Sequence, residues 1–322
     1  MKVAIVTLPL MDNYGGILQN YALQRALMEL GHDPFTVDLI SSLRFKWYFR
    51  GILRMLVKGT PYRHLHKKRT ACYDGIIREY IRKTPVVYRY RKGLLRDVDA
   101  VVVGSDQVWR FLYNDNRLPD MFLHFADGFK GRRIAYAASF GTDVWDAPER
   151  LKGTCSKLAG RFDRVSVRED SGVEICRRDL GIDAVQMPDP VLLLPKSAYL
   201  EICREVPVSH QGYIGAYILD DSPFIEERIK DLQSEYGYPV KRFSSGASST
   251  LGLAGWLALF RDAGYVVTDS YHGALVSKIL GKRYVLLVNE ERGSARFSQL
   301  EAIRDLQAEY ERGRRFLEDA LA

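Results

Sequence analysis

At 322 residues, 47% hydrophobic and 27% charged, the chain is long enough for two ordinary α/β domains or one large one, and its composition excludes a disordered polymer. No stretch approaches the roughly 20 apolar residues that span a bilayer, and the net charge of +7 is a local feature: nine Lys or Arg and no acid stand between Ser41 and Arg69, while the remainder is slightly acidic. The four cysteines, Cys72, Cys155, Cys176 and Cys203, form no CxxC pair and the six histidines no HExxH spacing, so scattered reduced thiols are expected, with no disulfide framework and no metal site.

The N-terminal run KVAIVTL carries one lysine and no small-residue cleavage site. It predicts a first strand rather than a signal peptide, and so a cytoplasmic chain. DNYGG follows, then ILQNYALQRALMELG, where Leu23, Ala26, Leu27 and Leu30 share one helical face that ends at Gly31. FTVDLI reads as the next strand. In the basic segment Phe45, Tyr48, Phe49, Ile52, Leu53 and Leu56 keep helical spacing, with Lys46, Arg50, Arg54 and Lys58 on another stripe. This pattern fits either an interfacial helix that draws residues 44–69 to anionic lipid at the inner face of the cytoplasmic membrane, or a helix packed on the domain or on a partner copy. No recognition motif accompanies it, so nucleic acid is not an expected partner.

DAVVVG, RIAYAAS and RVSVRE are further strands, each leading into a polar turn. MPDPVLLLPKSAY, with three prolines, marks the expected boundary between an N-terminal Rossmann-like domain (1–190, with the basic segment 41–69 as an insertion) and a C-terminal one (191–322). The second series runs YIGAYIL, a charged helix around Phe224 to Tyr236, VKRFS, a helix around Gly252 to Phe260, YVVTD, a helix from about His272, and RYVLLV. The tail from Ser294 is helical in pattern and able to pack back across the boundary. Such alternation predicts parallel sheets covered by helices on both faces.

Open α/β sheets bind ligands beyond the carboxyl ends of their strands. The polar residues just past the strands are therefore the candidates: Asn13, Tyr14, Gly15 and Gly16; Ser105, Asp106 and Gln107; Ser139 and Gly141; Arg168 and Glu169; Asp189; Asp269, Ser270 and His272. Gly15 and Gly16 suit either a tight turn or an anion held on free N–H groups at a helix start. Asp106 is either a general base or hydroxyl acceptor, or, with Ser105, a helix cap. Trp109 is either a stacking surface for a sugar ring or a core residue. Arg168 either grips a carboxylate or phosphate, or pairs with Glu169 or Asp170. In TDSYHG, Asp269 or Ser270 caps a helix whose first turn holds His272, where the helix dipole disfavours the imidazolium and leaves a neutral ring fit for proton transfer.

The segments NYGGILQNYALQ, VVGSDQVW, YAASFG, VSVRE, DPVLLL, TDSYHGALVSKI and GSARFSQL, in this order from Asn13 to Leu300, resemble the polysaccharide pyruvyl transferase family of bacterial capsule and exopolysaccharide enzymes. The resemblance implies an α/β fold of two Rossmann-like domains facing a cleft, similar to the GT-B architecture. It implies phosphoenolpyruvate as co-substrate and no cofactor, with the enolpyruvyl group moved onto two hydroxyls of a glycan or lipid-linked oligosaccharide to give a cyclic ketal and phosphate. The family's histidine corresponds to His272 and its arginine to Arg168. Many members carry an arginine two residues before that histidine where this chain has Ser270, and Arg296 is the candidate to replace it. The expected catalytic pair is His272 and Asp106. The expected donor set is Arg168, Arg296, Ser270 and Gly273, and the expected acceptor or cleft set is Asn13, Tyr14, Gly15, Gly16, Asn20, Ser105, Gln107, Trp109 and Tyr271. Two other readings share these features: a GT-B-like glycosyltransferase using a nucleotide sugar, and a non-catalytic membrane-associated factor in polysaccharide assembly.

Overall fold

The computed structural model describes residues 1–39, 70–246, 248–287 and 300–322. In chain order the first half gives β1 (Lys2–Val6), α1 (Tyr14–Glu29), β2 (Asp33–Thr36), α2 (Ala71–Tyr80), β3 (Ala100–Val103), the single turn α3 (Phe111–Asn114), β4 (Arg132–Ala138), α4 (Glu149–Ala159), β5 (Arg164–Val167), α5 (Asp170–Ile175) and the short β6 (Val185–Gln186). The second half gives α6 (Lys196–Ile202), β7 (Ile214–Tyr217), α7 (Pro223–Tyr236), β8 (Val240–Phe243), α8 (Leu253–Asp262), β9 (Tyr265–Thr268), α9 (Tyr271–Leu280), β10 (Tyr284–Leu286) and α10 (Leu306–Leu321). The expected basic helix, residues 44–69, and Arg296 lie outside the described residues.

Two parallel sheets result, one of six strands in the order β2-β1-β3-β4-β5-β6 and one of four in the order β10-β9-β7-β8. Strands such as AVVV in β3, buried at every position, can only sit in a sheet covered on both faces. One face of the first sheet packs Val3, Ile5 and Val102 against Leu23 and Leu27 of α1 and Leu317 and Leu321 of α10. The other face packs Val101 and Val103 against Leu151 and Leu158 of α4. The last helix therefore crosses to the first sheet, where Arg312 donates to the Gln186 carbonyl (2.8 Å) and Arg314 pairs with Glu29 (2.6 Å). The FTVDLI strand ends at Thr36, earlier than its composition suggests. Past that point the backbone is shared with the 82–87 segment, through Thr36 N–H to Arg82 O and Val87 N–H to Asp38 O.

Leu10, Tyr14, Ile17 and Leu18 from the first half and Trp256, Phe260, Tyr271 and Leu275 from the second belong to one apolar cluster. Burying a large side chain of this kind contributes about 1.5–3 kcal/mol, so the two sheets are joined by a packed core. In each sheet the chain leaves the first strand to one side and returns on the other, at β2-β1-β3 and at β8-β7-β9. Such reversals leave a crevice at the strand ends.

Candidate functional site

The two crevices open onto one cavity of about 220 Å³, lined by Thr7 to Met11 after β1, Asp106 after β3, Leu219 after β7 and Ser270 to His272 after β9. The start of α9 is fixed locally. Ser270 Oγ accepts the Gly273 N–H (3.3 Å) and is the cap. Asp269 instead takes the N–H groups of Leu219 (2.8 Å) and Asp220 (2.9 Å), lashing the end of β9 to the end of β7. Gly281, at φ 71°, stops the helix. His272 is thereby held in the first turn with 9% of its surface exposed. Its Nδ1 rests on α1: a β-carbon at Gly15 would overlap that atom. Gly15→Ala is expected to displace the imidazole and to lower any turnover it serves by on the order of 100-fold, at a stability cost of about 1–3 kcal/mol. Unchanged turnover in the folded variant contradicts the contact.

Beneath the cavity the charged groups form a continuous array. Arg168, 1% exposed, donates from Nε to Glu169 Oε1 (2.9 Å) and from Nη1 to Asp189 Oδ2 (2.9 Å), and its Nη1 lies 4.0 Å from Asp106 Oδ1. Its guanidinium also stacks over the Tyr271 ring at 4.8 Å. Burial alone would favour a neutral guanidine, but Glu169, Tyr271, Asp189 and Asp106 outweigh it and hold the charge. Asp189 Oδ2 also faces His272 Nε2 at 3.5 Å. Burial opposes ionisation of Asp189, yet His272, Arg168 and the Val191 N–H overcome it and hold the carboxyl down at about 2. Glu169 accepts a further bond from Ser139 Oγ (2.8 Å). Asp106 takes a left-handed backbone, φ 69°, a conformation that Asp tolerates better than most residues. Its Oδ1 accepts the Gln107 N–H (2.9 Å) and its Oδ2 lies beside Gly16.

The structure brings together His272, Asp106, Arg168, Ser270, Tyr271, Asn13, Gly16 and Gln107 at this cavity, with Gly15 against His272 Nδ1. It moves others away. Trp109 is fully buried, stacked on Phe122 at 4.7 Å with its indole N–H on the Met121 carbonyl (3.0 Å); it is a core residue and offers no face to a sugar. Tyr14 is fully buried between the halves, stacked on Trp256 (4.9 Å), with its hydroxyl on Ser249 and the Leu251 carbonyl. Asn20 is fully buried and accepts from Thr36 Oγ1 (2.7 Å), tying α1 to β2. Ser105, also fully buried, donates to the Ala137 carbonyl (2.7 Å). Of the two readings of Gly15 and Gly16, a tight turn or an anion held on their N–H groups, the N–H groups are taken within the chain: Asn13 Oδ1 accepts both (3.0 and 3.4 Å). Gly273 commits its N–H to the Ser270 cap, and a β-carbon there would press on Thr268 and Tyr217. Arg168 lines the cavity with Nε already on Glu169 and Nη1 on Asp189, so the pairing with Glu169 read from its position is realised.

Glu169 and Asp189 are strand-end candidates, and the pairing of Arg168 with Glu169 is one reading of its position; the fold adds Asp189 as a second partner of the same guanidinium. Tyr113, 42% exposed on the cavity rim with Arg110 at 5.5 Å over its ring, is the exposed aromatic that Trp109 is not. A wider groove of about 900 Å³, between the β5–β6 edge and Arg312, Arg315 and Phe316 of α10, holds none of the strand-end residues singled out above.

Residues 13–291 match the family model described as polysaccharide pyruvyl transferase. None of the curated proteins matches the chain. Among solved structures, the S. aureus MnaA co-structure with UDP is similar over 97% of this chain and 91% of that one, at 9% identity and a TM-score of 0.54. A Listeria monocytogenes protein assigned as a UDP-N-acetylglucosamine 2-epimerase is similar over 99% of this chain and 90% of that one, also at 9% identity and TM-score 0.54. At this identity the likeness concerns the fold: two Rossmann-like domains facing a cleft in the GT-B manner.

Proposed function

This chain belongs to the polysaccharide pyruvyl transferase family, and from that premise we propose that it moves the enolpyruvyl group of phosphoenolpyruvate onto two hydroxyls of one sugar in a polysaccharide precursor. A transferase acting on polysaccharide follows from the family; the donor and the ketal product are our reading. The observation that carries it is His272, buried at the meeting of both crevices beside Asp106, Ser270 and Tyr271. In the net reaction one sugar oxygen adds to C2 of the donor, C3 gains a proton to become a methyl group, and the second oxygen replaces phosphate at C2. Of the two hydroxyl protons lost, one is balanced at C3 and the other on phosphate. We assign the acid/base role to His272 and acceptance of a sugar hydroxyl proton to Asp106, with Tyr113 placed to lie against the sugar.

Charge sets a condition on this reading. Among the described residues lining the cavity, the guanidinium of Arg168 faces Glu169, Asp189 and Asp106, so the donor's phosphate and carboxylate need a further cation. Arg296 is our candidate. A volume of about 220 Å³ lies below the roughly 300–1,000 Å³ of sites for drug-sized ligands and suits a three-carbon donor better than a nucleotide sugar. The UDP in the S. aureus co-structure favours the second reading, a glycosyltransferase using a nucleotide sugar.

Isothermal titration with phosphoenolpyruvate, UDP and CMP separates them. The expected result is saturable binding of phosphoenolpyruvate, lost in Arg296→Ala, and no heat from either nucleotide. Selective binding of UDP would overturn the proposal in favour of the glycosyltransferase.

A further inference from the structure

Asp189 lies on the crossover between the two sheets, on the cap of the 3₁₀ turn Pro190–Leu193. Its side chain is fully buried and each oxygen is committed. Oδ1 accepts the Val191 N–H at 3.0 Å. Oδ2 accepts from Arg168 Nη1 at 2.9 Å and faces His272 Nε2 at 3.5 Å. One carboxylate thus meets the residue after β5, its own turn and the first turn of α9.

Nε2 of His272 is buried and makes no hydrogen bond among the described residues; Asp189 Oδ2 is the carboxylate oxygen that faces it. The ring's other nitrogen, Nδ1, rests against Gly15. With the proton of a neutral ring on Nδ1, the Nε2 lone pair would face an ionised carboxylate across 3.5 Å in a site shielded from water, where the repulsion is strong. With the proton on Nε2 the same geometry is attractive. The gap is longer than a hydrogen bond, but such contacts are commonly long without substrate and tighten when it binds. Asp189 stays ionised at neutral pH because Arg168 and the Val191 N–H also hold it.

We propose that Asp189 is a positioning residue: it holds His272 in the Nε2–H tautomer, so that Nδ1, beside Gly15, is the nitrogen that exchanges a proton with the reactants. The use made of Nδ1 rests on the transferase reading; the tautomer does not. Because Arg168 shares Oδ2, the same contact ties the imidazole to the buried charge array under the cavity. An imidazolium formed at Nδ1 would have its charge balanced across Nε2 by Asp189.

The test is a long-range proton–nitrogen NMR spectrum of the full chain carrying ¹⁵N-histidine, with the His272 signals identified by their loss in His272→Ala. The wild type is expected to show a protonated Nε2 and an unprotonated Nδ1 in the neutral ring. A protonated Nδ1, or an even mixture of the two, overturns the proposal whatever the enzyme's substrate. Asp189→Asn is then expected to shift His272 toward the Nδ1–H form and to lower kcat by on the order of 100-fold or more, since losing the tautomer-holding carboxylate of a Ser-His-Asp site costs about 10⁴-fold. Wild-type tautomer and kcat in a folded Asp189→Asn protein would also overturn it. If that variant does not fold, the wild-type spectrum alone decides. An Nε2–H tautomer in a protein that never consumes phosphoenolpyruvate would leave the positioning role standing and sink the transferase reading.

Discussion

Replacing His272 by Ala is expected to lower kcat by about 100- to 10,000-fold, the range that a positioned acid or base contributes, while the protein stays folded. The side chain lies at the cavity, with Nε2 3.5 Å from Asp189 and Nδ1 against Gly15. Its loss removes no backbone cap, because Ser270 performs that task. Asp189 keeps Arg168 as a counter-charge in the variant, so no buried carboxylate is orphaned. Stability should therefore change much less than turnover. Circular dichroism melting alongside steady-state kinetics checks both. Turnover within a few-fold of wild type would remove His272 from the chemistry, and a large drop in melting temperature with little change in kcat would make it a packing residue.

Arg168→Leu is expected to do the reverse, striking stability first. Glu169 and Asp189 are 3% and 1% exposed, and both lose their cation when the guanidinium goes. Breaking a buried pair from one side costs about 3–5 kcal/mol, which corresponds to a drop in the unfolding midpoint on the order of 10 °C. The same array predicts acid sensitivity in the wild type. Asp189 titrates at about 2 in the folded chain against an ordinary 3.8, so its contribution is present above the ordinary value and is lost as pH falls from about 4 toward 2. Thermal melts across that window should show a falling midpoint. Arg168→Lys is the informative companion: it keeps a charge but not the fork that reaches Glu169 and Asp189 together. A wild-type midpoint in Arg168→Leu would mean that the pairing carries no net stability.

The fold class was legible because apolar runs such as AVVV and YVVT read as buried parallel strands and because turn residues punctuate them. TDSYHG was legible for a local reason, since capping and helix termination are settled within a dozen residues. What lay beyond the sequence is side-chain direction at the strand ends. Ser105, Asp106, Gln107 and Trp109 follow one strand within five positions, yet Asp106 and Gln107 line the cavity while Ser105 and Trp109 turn into the core. The turn carries positive φ at both Gly104 and Asp106, and no periodicity encodes it. Tyr14 and Asn20 were misread for a related reason: α1 is buried on several sides, so polar tips at its start serve the joint between the halves and the contact with β2. Asp189 and His272 are separated by 82 intervening residues, and their encounter depends on how the second sheet is set against the first. The glycines illustrate the same limit. Gly15 and Gly16 suited either a tight turn or an anion-binding helix start, whereas Gly15 here leaves room for the imidazole, which a β-carbon would overlap.

The measurement that bears most directly on the proposed function is turnover of phosphoenolpyruvate in the presence of bacterial glycan precursors, with phosphate release and the ¹³C spectrum of the product followed together. Phosphate release is expected to depend on the glycan, at one equivalent per ketal carbon formed, and both are expected to be lost in His272→Ala. Sugar transfer from a UDP-sugar to the same glycan, with phosphoenolpyruvate left intact, would contradict it.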